Sequence, residues 1–161
     1  MLSRFFLTAA FCVTIVCSLP VYVSAQVKPY KDMESEILKY VNDHRKEQGL
    51  KPLRTNGLIT IAAERHSRNM ATKKIPFGHD GFNDRMKDLY KQLKPVYSFA
   101  ENVAYGGHTA RETVDQWLNS AEHKKNIEGK DYNATGVGIA IGADSVLYFT
   151  EIFIYLSLIH I

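Results

Sequence analysis

The only two cysteines of the chain, Cys12 and Cys17, fall inside an apolar leader, and this constrains how everything after it must hold together. The leader, Met1 to Ala25, carries one charge at Arg4, an apolar stretch from Phe5 to Val16 and a small-residue exit at Val23-Ser24-Ala25. That is the layout of a signal peptide cut before Gln26. The stretch is shorter than the ~20 residues a membrane-spanning helix needs, and Pro20 breaks it before the exit, so no anchor is expected after cleavage. A lipid-modified cysteine would follow a small residue, whereas Val16 precedes Cys17. The remaining chain of about 135 residues has neither disulfide nor thiol chemistry and must rely on an apolar core, which that length can supply. A cysteine-free exported domain fits a bacterial source better than a eukaryotic secretory route.

Charge excludes one class of partner. The sequence has 20 basic and 17 acidic side chains, and without Arg4 the balance is +2. Lys73-Lys74, Lys87, Lys91 and Lys124-Lys125 are scattered instead of forming one basic face, so nucleic acid is not an expected partner. An anionic cell wall remains compatible with the balance.

Periodicity places the elements. Met33, Ile37, Tyr40, Val41 and His44 repeat at helical spacing, with Asp32 as the expected cap and Gly49 just past the end. Leu50 to Leu53 reads as an extended link and Asn56-Gly57 as a turn, followed by a second helix marked by Leu58, Ile61, Ala62, Arg65, His66 and Met70. Pro76 stops that pattern, and the Gly78-His79-Asp80-Gly81 loop leads to a third helix carrying Phe82, Met86, Leu89 and Tyr90. Val96 to Ala104 reads as a short non-helical stretch. Thr109 and Glu112 form a capping-box pair for a fourth helix with Val114, Trp117 and Leu118. Val137, Ile139 and Ile141, a turn over residues 142–145, and the run from Val146 to Tyr155 predict a closing β-hairpin. Helices first and strands late indicate an α+β fold with helices packed on an antiparallel sheet.

The sequence lacks HExxH, GxSxG, GxGxxG and phosphate-loop motifs, which removes nucleotide enzymes and standard serine hydrolases. The polar residues left for chemistry are His79 in its loop, Glu101-Asn102 ahead of apolar Val103-Ala104, and His123 past the fourth helix. His79, His123 and Glu101 have the chemistry of a zinc site with a water in the fourth position. Their wide separation in sequence equally suits a carboxylate that pins a loop by hydrogen bonds, with no metal. A Ser120–His123–Glu101 triad is a further arrangement. His66 reads as a satisfied core histidine, His44 as a charge at a helix C-terminus, His108 as a loop residue able to approach the same cleft, and Trp117 as a core anchor.

The ordered blocks VNDHRKEQGLKPL, LITIAAERHSRNMA, GHDGFNDR, AENVAYG, WLNSAEHKKNI, TGVGIAI and YFTEIF resemble those of the CAP superfamily, the cysteine-rich secretory, antigen 5 and pathogenesis-related proteins, from about Ser35 to Phe153. The resemblance implies a three-layer α-β-α sandwich with a central antiparallel sheet, an extracellular setting, and a shallow cleft that in many eukaryotic relatives holds two histidines and two glutamates able to bind a divalent metal. His79 and Glu101 match the first histidine and the first glutamate. Ser120 stands at the second glutamate and Tyr148 at the second histidine, so half of that set is replaced. SAEHKKN resembles the bacterial form of its block and brings His123 toward the cleft, while Glu151 takes a position where bacterial relatives commonly have glutamine.

The expected organisation is therefore a signal peptide over 1–25, a lead-in over 26–34, a CAP (SCP-like) domain over 35–155 and a tail over 156–161. The expected function is that of a secreted monomeric binding or surface-interaction module for an extracellular or cell-wall ligand, with a cleft formed by His79, Glu101, Asn102, Ser120, His123 and Tyr148. The alternatives are a metal-dependent hydrolase with zinc on His79, His123 and Glu101, and a lipid or sterol carrier.

Overall fold

A computed structural model describes residues 30–93 and 95–157. The leader, residues 26–29 of the lead-in and residues 158–161 of the tail lie outside them. Among the described residues no helix is long and apolar enough to cross a membrane.

The elements run α1 (Lys31–Glu47), β1 (Arg54–Thr55), α2 (Gly57–Ala71), α3 (Phe82–Gln92), β2 (Val96–Tyr105), α4 (Ala110–Leu118), α5 (Ala121–Ile127), β3 (Ala134–Ile141) and β4 (Leu147–Leu156). The four strands form one sheet in the order β1-β3-β4-β2. β4 pairs antiparallel with both β3 and β2, and the two-residue β1 adds a short parallel contact to β3 at Arg54↔Ala134. The expected antiparallel sheet is thus present, with a parallel edge where the link after α1 crosses back.

Helices cover both faces. On one, Ile37 and Val41 of α1, Val114 and Trp117 of α4 and Ile127 of α5 pack on Val137, Ile139, Phe149 and Phe153. On the other, Ile59, Ala62 and Ala63 of α2 and Met86 and Leu89 of α3 pack on Ala134, Ile152 and Ile154. Trp117, Phe149 and Phe153 are fully buried, and truncating a large aromatic in such a core costs about 3–5 kcal/mol. The contact of α2 with the sheet depends on two glycines of the TGVGIAI block. A Cβ at Gly136 or Gly138 would collide with the backbone of Thr60 or Glu64, so only glycine lets the helix lie directly on β3.

Four local expectations are revised. α1 starts one residue before Asp32, with Tyr30 in the capping position, so the Asp32 carboxylate sits in the first turn, where it favours the helix dipole. Asn56 caps α2, accepting from the N–H groups of Leu58 (3.0 Å) and Ile59 (3.4 Å), where a turn had been expected. Val96 to Ala104 belongs to a full ten-residue strand. α5 is an additional helix, and His123 lies within it. The Thr109–Glu112 capping box forms as expected. β4 runs on to Leu156, opposite Val96, so the tail begins as a continuation of the strand.

Candidate functional site

Side chains on a strand alternate between faces, and the adjacent pair Glu101-Asn102 on β2 is divided by that rule. Glu101 points to the layer of α2 and α3. Its Oε2 accepts from Arg85 Nε (2.8 Å), and its Oε1 accepts from Arg85 Nη2 (2.7 Å) and from His79 Nδ1 (2.9 Å). Asn102 points to α5, where its Nδ2 donates to the His123 carbonyl (3.0 Å) and its Oδ1 accepts from Asn126 Nδ2 (2.9 Å). The cleft expected from sequence is therefore two polar networks on opposite faces of one edge strand.

The Glu101 network is built from a loop, a helix and a strand. His66 on α2 is buried and donates from Nε2 to the Gly78 carbonyl (2.9 Å), which holds the loop carrying His79. His66 Nε2 also lies 3.7 Å from Glu101 Oε1. The carbonyl can only accept, so Nε2 carries the hydrogen, and Nδ1 is left without a partner among the described residues. Arg85 on α3 forks onto the carboxylate in a bidentate pair, the strongest geometry for such a contact. Glu101 is buried, which opposes its charge, but the hydrogen bonds from His79 and Arg85 and the guanidinium charge outweigh burial and hold it below the usual carboxylate range. Burial lowers the pKa of His66 and so opposes its charged form. The His79 ring is half exposed, at 50%, and presents the network to solvent with its Nε2 free of the carboxylate.

The other expected residues take separate places. His123 is partly buried, and burial, followed by the influence of His79, lowers its pKa. Its Nδ1 has no hydrogen-bond partner among the described residues. Ser120 occupies the capping position of α5 without a side-chain cap bond. The Ser120–His123–Glu101 triad is not assembled, because Glu101 is committed to Arg85 and His79. Tyr148 pairs with Tyr105, four residues along β2 from Glu101 and roughly 13 Å away at strand rise, so it does not join the Glu101 network. His108 is exposed, with its backbone N–H bonded to Glu112.

Zinc on His79, His123 and Glu101 does not fit this arrangement. Both carboxylate oxygens are occupied by the Arg85 fork, and a dication there would face a guanidinium at bonding distance. Among the described residues no three His, Cys, Asp or Glu side chains are grouped to hold a metal ion.

Arg85 and His66 are the members of the network that the sequence reading did not assign to it. Arg85 had a usable signal: Phe82, Arg85, Met86 and Leu89 share one helical stripe, and an arginine on an apolar stripe requires a buried acceptor.

Comparison with known proteins gives a consistent picture. The model of the family described as CAP, cysteine-rich secretory protein family, matches residues 38–153. Protein YkwD of Bacillus subtilis is 34% identical over 107 residues, covering 65% of this chain and 41% of that protein, so the chain spans less than half of that relative. An outer surface protein of Borrelia burgdorferi superposes with a TM-score of 0.71 at 19% identity, covering 80% of this chain and 96% of that one. An extracellular protein of Bacillus anthracis containing an SCP domain superposes with a TM-score of 0.64 at 23% identity, covering 81% and 45%.

Proposed function

The chain belongs to the cysteine-rich secretory protein (CAP) family, and from that premise we propose that it acts outside the cell as a binding module, with the half-exposed His79 imidazole as its contact point. The reading includes removal of residues 1–25 as a signal peptide, a working domain over 35–155, and a monomer that meets an extracellular or cell-wall ligand. One observation carries it. The Glu101 carboxylate, the group a metal or a general base would need, is engaged on both oxygens by Arg85 and on one by His79. What that carboxylate does is hold, through Nδ1, a half-exposed imidazole whose second nitrogen is left for one directional hydrogen bond to a ligand.

The test is calorimetric titration of the purified protein with zinc, alongside Glu101→Gln. The binding reading expects no heat from either protein while both remain folded. Micromolar binding that the variant loses would replace this reading with the metal-dependent hydrolase.

A second observation supports the carrier alternative at another place. A groove of about 660 Å³ between α1 and α2 is lined in part by Leu38, Ile61 and Val137. Organic extraction of the purified protein separates the two, since a carrier releases a co-purified apolar molecule and the binding module releases none.

A further inference from the structure

Beside the His79 loop, at the far end of β2, lies a cluster of aromatic rings that the Glu101 network does not use. Phe77 meets Tyr105 edge-on with ring centroids 4.7 Å apart, and Tyr105 stacks on Tyr148 at 6.2 Å with the planes 22° apart. Phe77 and Tyr105 are 46% and 53% exposed, whereas Tyr148 is buried beneath them. Lys73 fixes the buried ring, donating from Nζ to the Tyr148 hydroxyl (2.7 Å) while pairing with Asp144 (3.1 Å).

The backbone at this place is unusual. Among the described residues only two that are not glycine have positive φ, Lys73 (58°) and Ser145 (62°); Lys73 belongs to this cluster, and Ser145 follows Asp144 in the turn before β4. Lys73 closes α2 in the left-handed position where glycine is the ordinary choice, its N–H bonding to the Met70 carbonyl and that of Lys74 to the Asn69 carbonyl. A lysine there bears a conformational cost that glycine would avoid, and what it supplies is the side chain that anchors Tyr148.

We propose that Phe77 and Tyr105, backed by Tyr148 and Lys73, form a stacking platform for a saccharide chain. This rests on the reading of the protein as an extracellular binding module, and it names a ligand class for the surface next to His79. Pyranose rings present C–H groups on their faces and hydroxyls on their rims. The platform offers two half-exposed rings set edge-on, with the Lys73–Asp144 pair beside the Tyr148 ring beneath them, so a donor and an acceptor stand at its rim. The Lys73–Asp144 pair is neutral overall, which suits an uncharged polyol better than a highly charged ligand.

The test is titration of the full chain with chitohexaose, a soluble β-linked N-acetylglucosamine oligomer, followed by amide NMR shifts. Shifts centred on Phe77, Tyr105, Gly106 and Lys73, with affinity falling roughly tenfold in Phe77→Ala and Tyr105→Ala, support the platform. Lys73→Gly separates anchoring from folding: it is expected to keep or raise thermal stability and still weaken the sugar. Three results overturn the inference: no shifts at millimolar sugar, shifts confined to the groove between α1 and α2, or shifts that depend on protein concentration without sugar, which would mean self-association through these rings. None of these decides the His79 reading, which stands or falls on the zinc titration.

Discussion

Two regions of this small domain each bury an arginine and a glutamate, and they treat them in opposite ways. On the face of α2 and α3, Arg85 and Glu101 meet directly in a bidentate pair, so the acid stays charged. On the face of α1 and α5, Arg45 spends its donors on backbone, reaching the carbonyls of Lys51 (2.9 Å), Ile127 (2.6 Å), Gly129 (3.0 Å) and Tyr132 (3.3 Å). Glu151 is fully buried and left with Thr135, 3.1 Å from its Oε1, while its Oε2 has no partner among the described residues. The Thr135 hydroxyl also lies 2.9 Å from the Ile152 carbonyl and has one proton to give. If that proton goes to the carbonyl, the carboxyl must be the donor to Thr135, so Glu151 must be protonated. Burial accordingly pushes Glu151 up to about 8. A buried acid is a fixed charge where an arginine forks onto it and a neutral hydrogen-bonding group where the arginine is committed elsewhere.

The largest effect is expected from breaking the direct pair. Arg85→Met leaves Glu101 as an uncompensated buried charge and should cost about 3–5 kcal/mol in denaturant unfolding at pH 7. The same variant should move the Glu101 titration upward. Comparable in its total is the pH dependence set by Glu151. Its folded state keeps a proton that the unfolded chain releases, so stability should fall by about 1.4 kcal/mol per pH unit as pH rises from the ordinary carboxyl value of 4.5 to about 8. Glu151→Gln, which keeps the shape and cannot ionise, should flatten that slope in urea melts recorded across the range. Glu101 has the reverse sign: its lowered pKa contributes stability above 4.5 that is lost as pH falls through its folded value, so Glu101→Gln should blunt acid unfolding. The smallest effect is expected for His79→Ala, below about 1 kcal/mol, because a half-exposed pair is screened by solvent.

Helices α1 to α4 and the final hairpin were legible because their apolar residues repeat at 3.6 or 2, and the start of α4 also carries its capping box. β2 was not, because Ala100 to Ala104 are all buried between two helical layers, so no polar alternation marks the strand, and its centre holds Glu101 and Asn102. α5 has only seven residues, and it is fixed by contacts from outside it: Arg45 on the Ile127 carbonyl and His44 Nε2 on Glu128 (2.9 Å) at its end. Of the candidate site, the union of His79 with Glu101 was visible through the family blocks. The division of Glu101 from Asn102 follows only once the stretch is known to be a strand. Arg45, in line with Ile37 and Val41, escaped as Arg85 did, because neither arginine was read as part of its helix's buried stripe.

The contrast between the two acids can be measured without any variant. Carboxyl ¹³C shifts of the glutamates, followed from pH 3 to 9, report the ionisation of each directly. The account predicts that Glu101 is still ionised below 4.5 and that Glu151 titrates near 8. A Glu101 that takes up its proton above 4.5, or a Glu151 already ionised at pH 6, would contradict it.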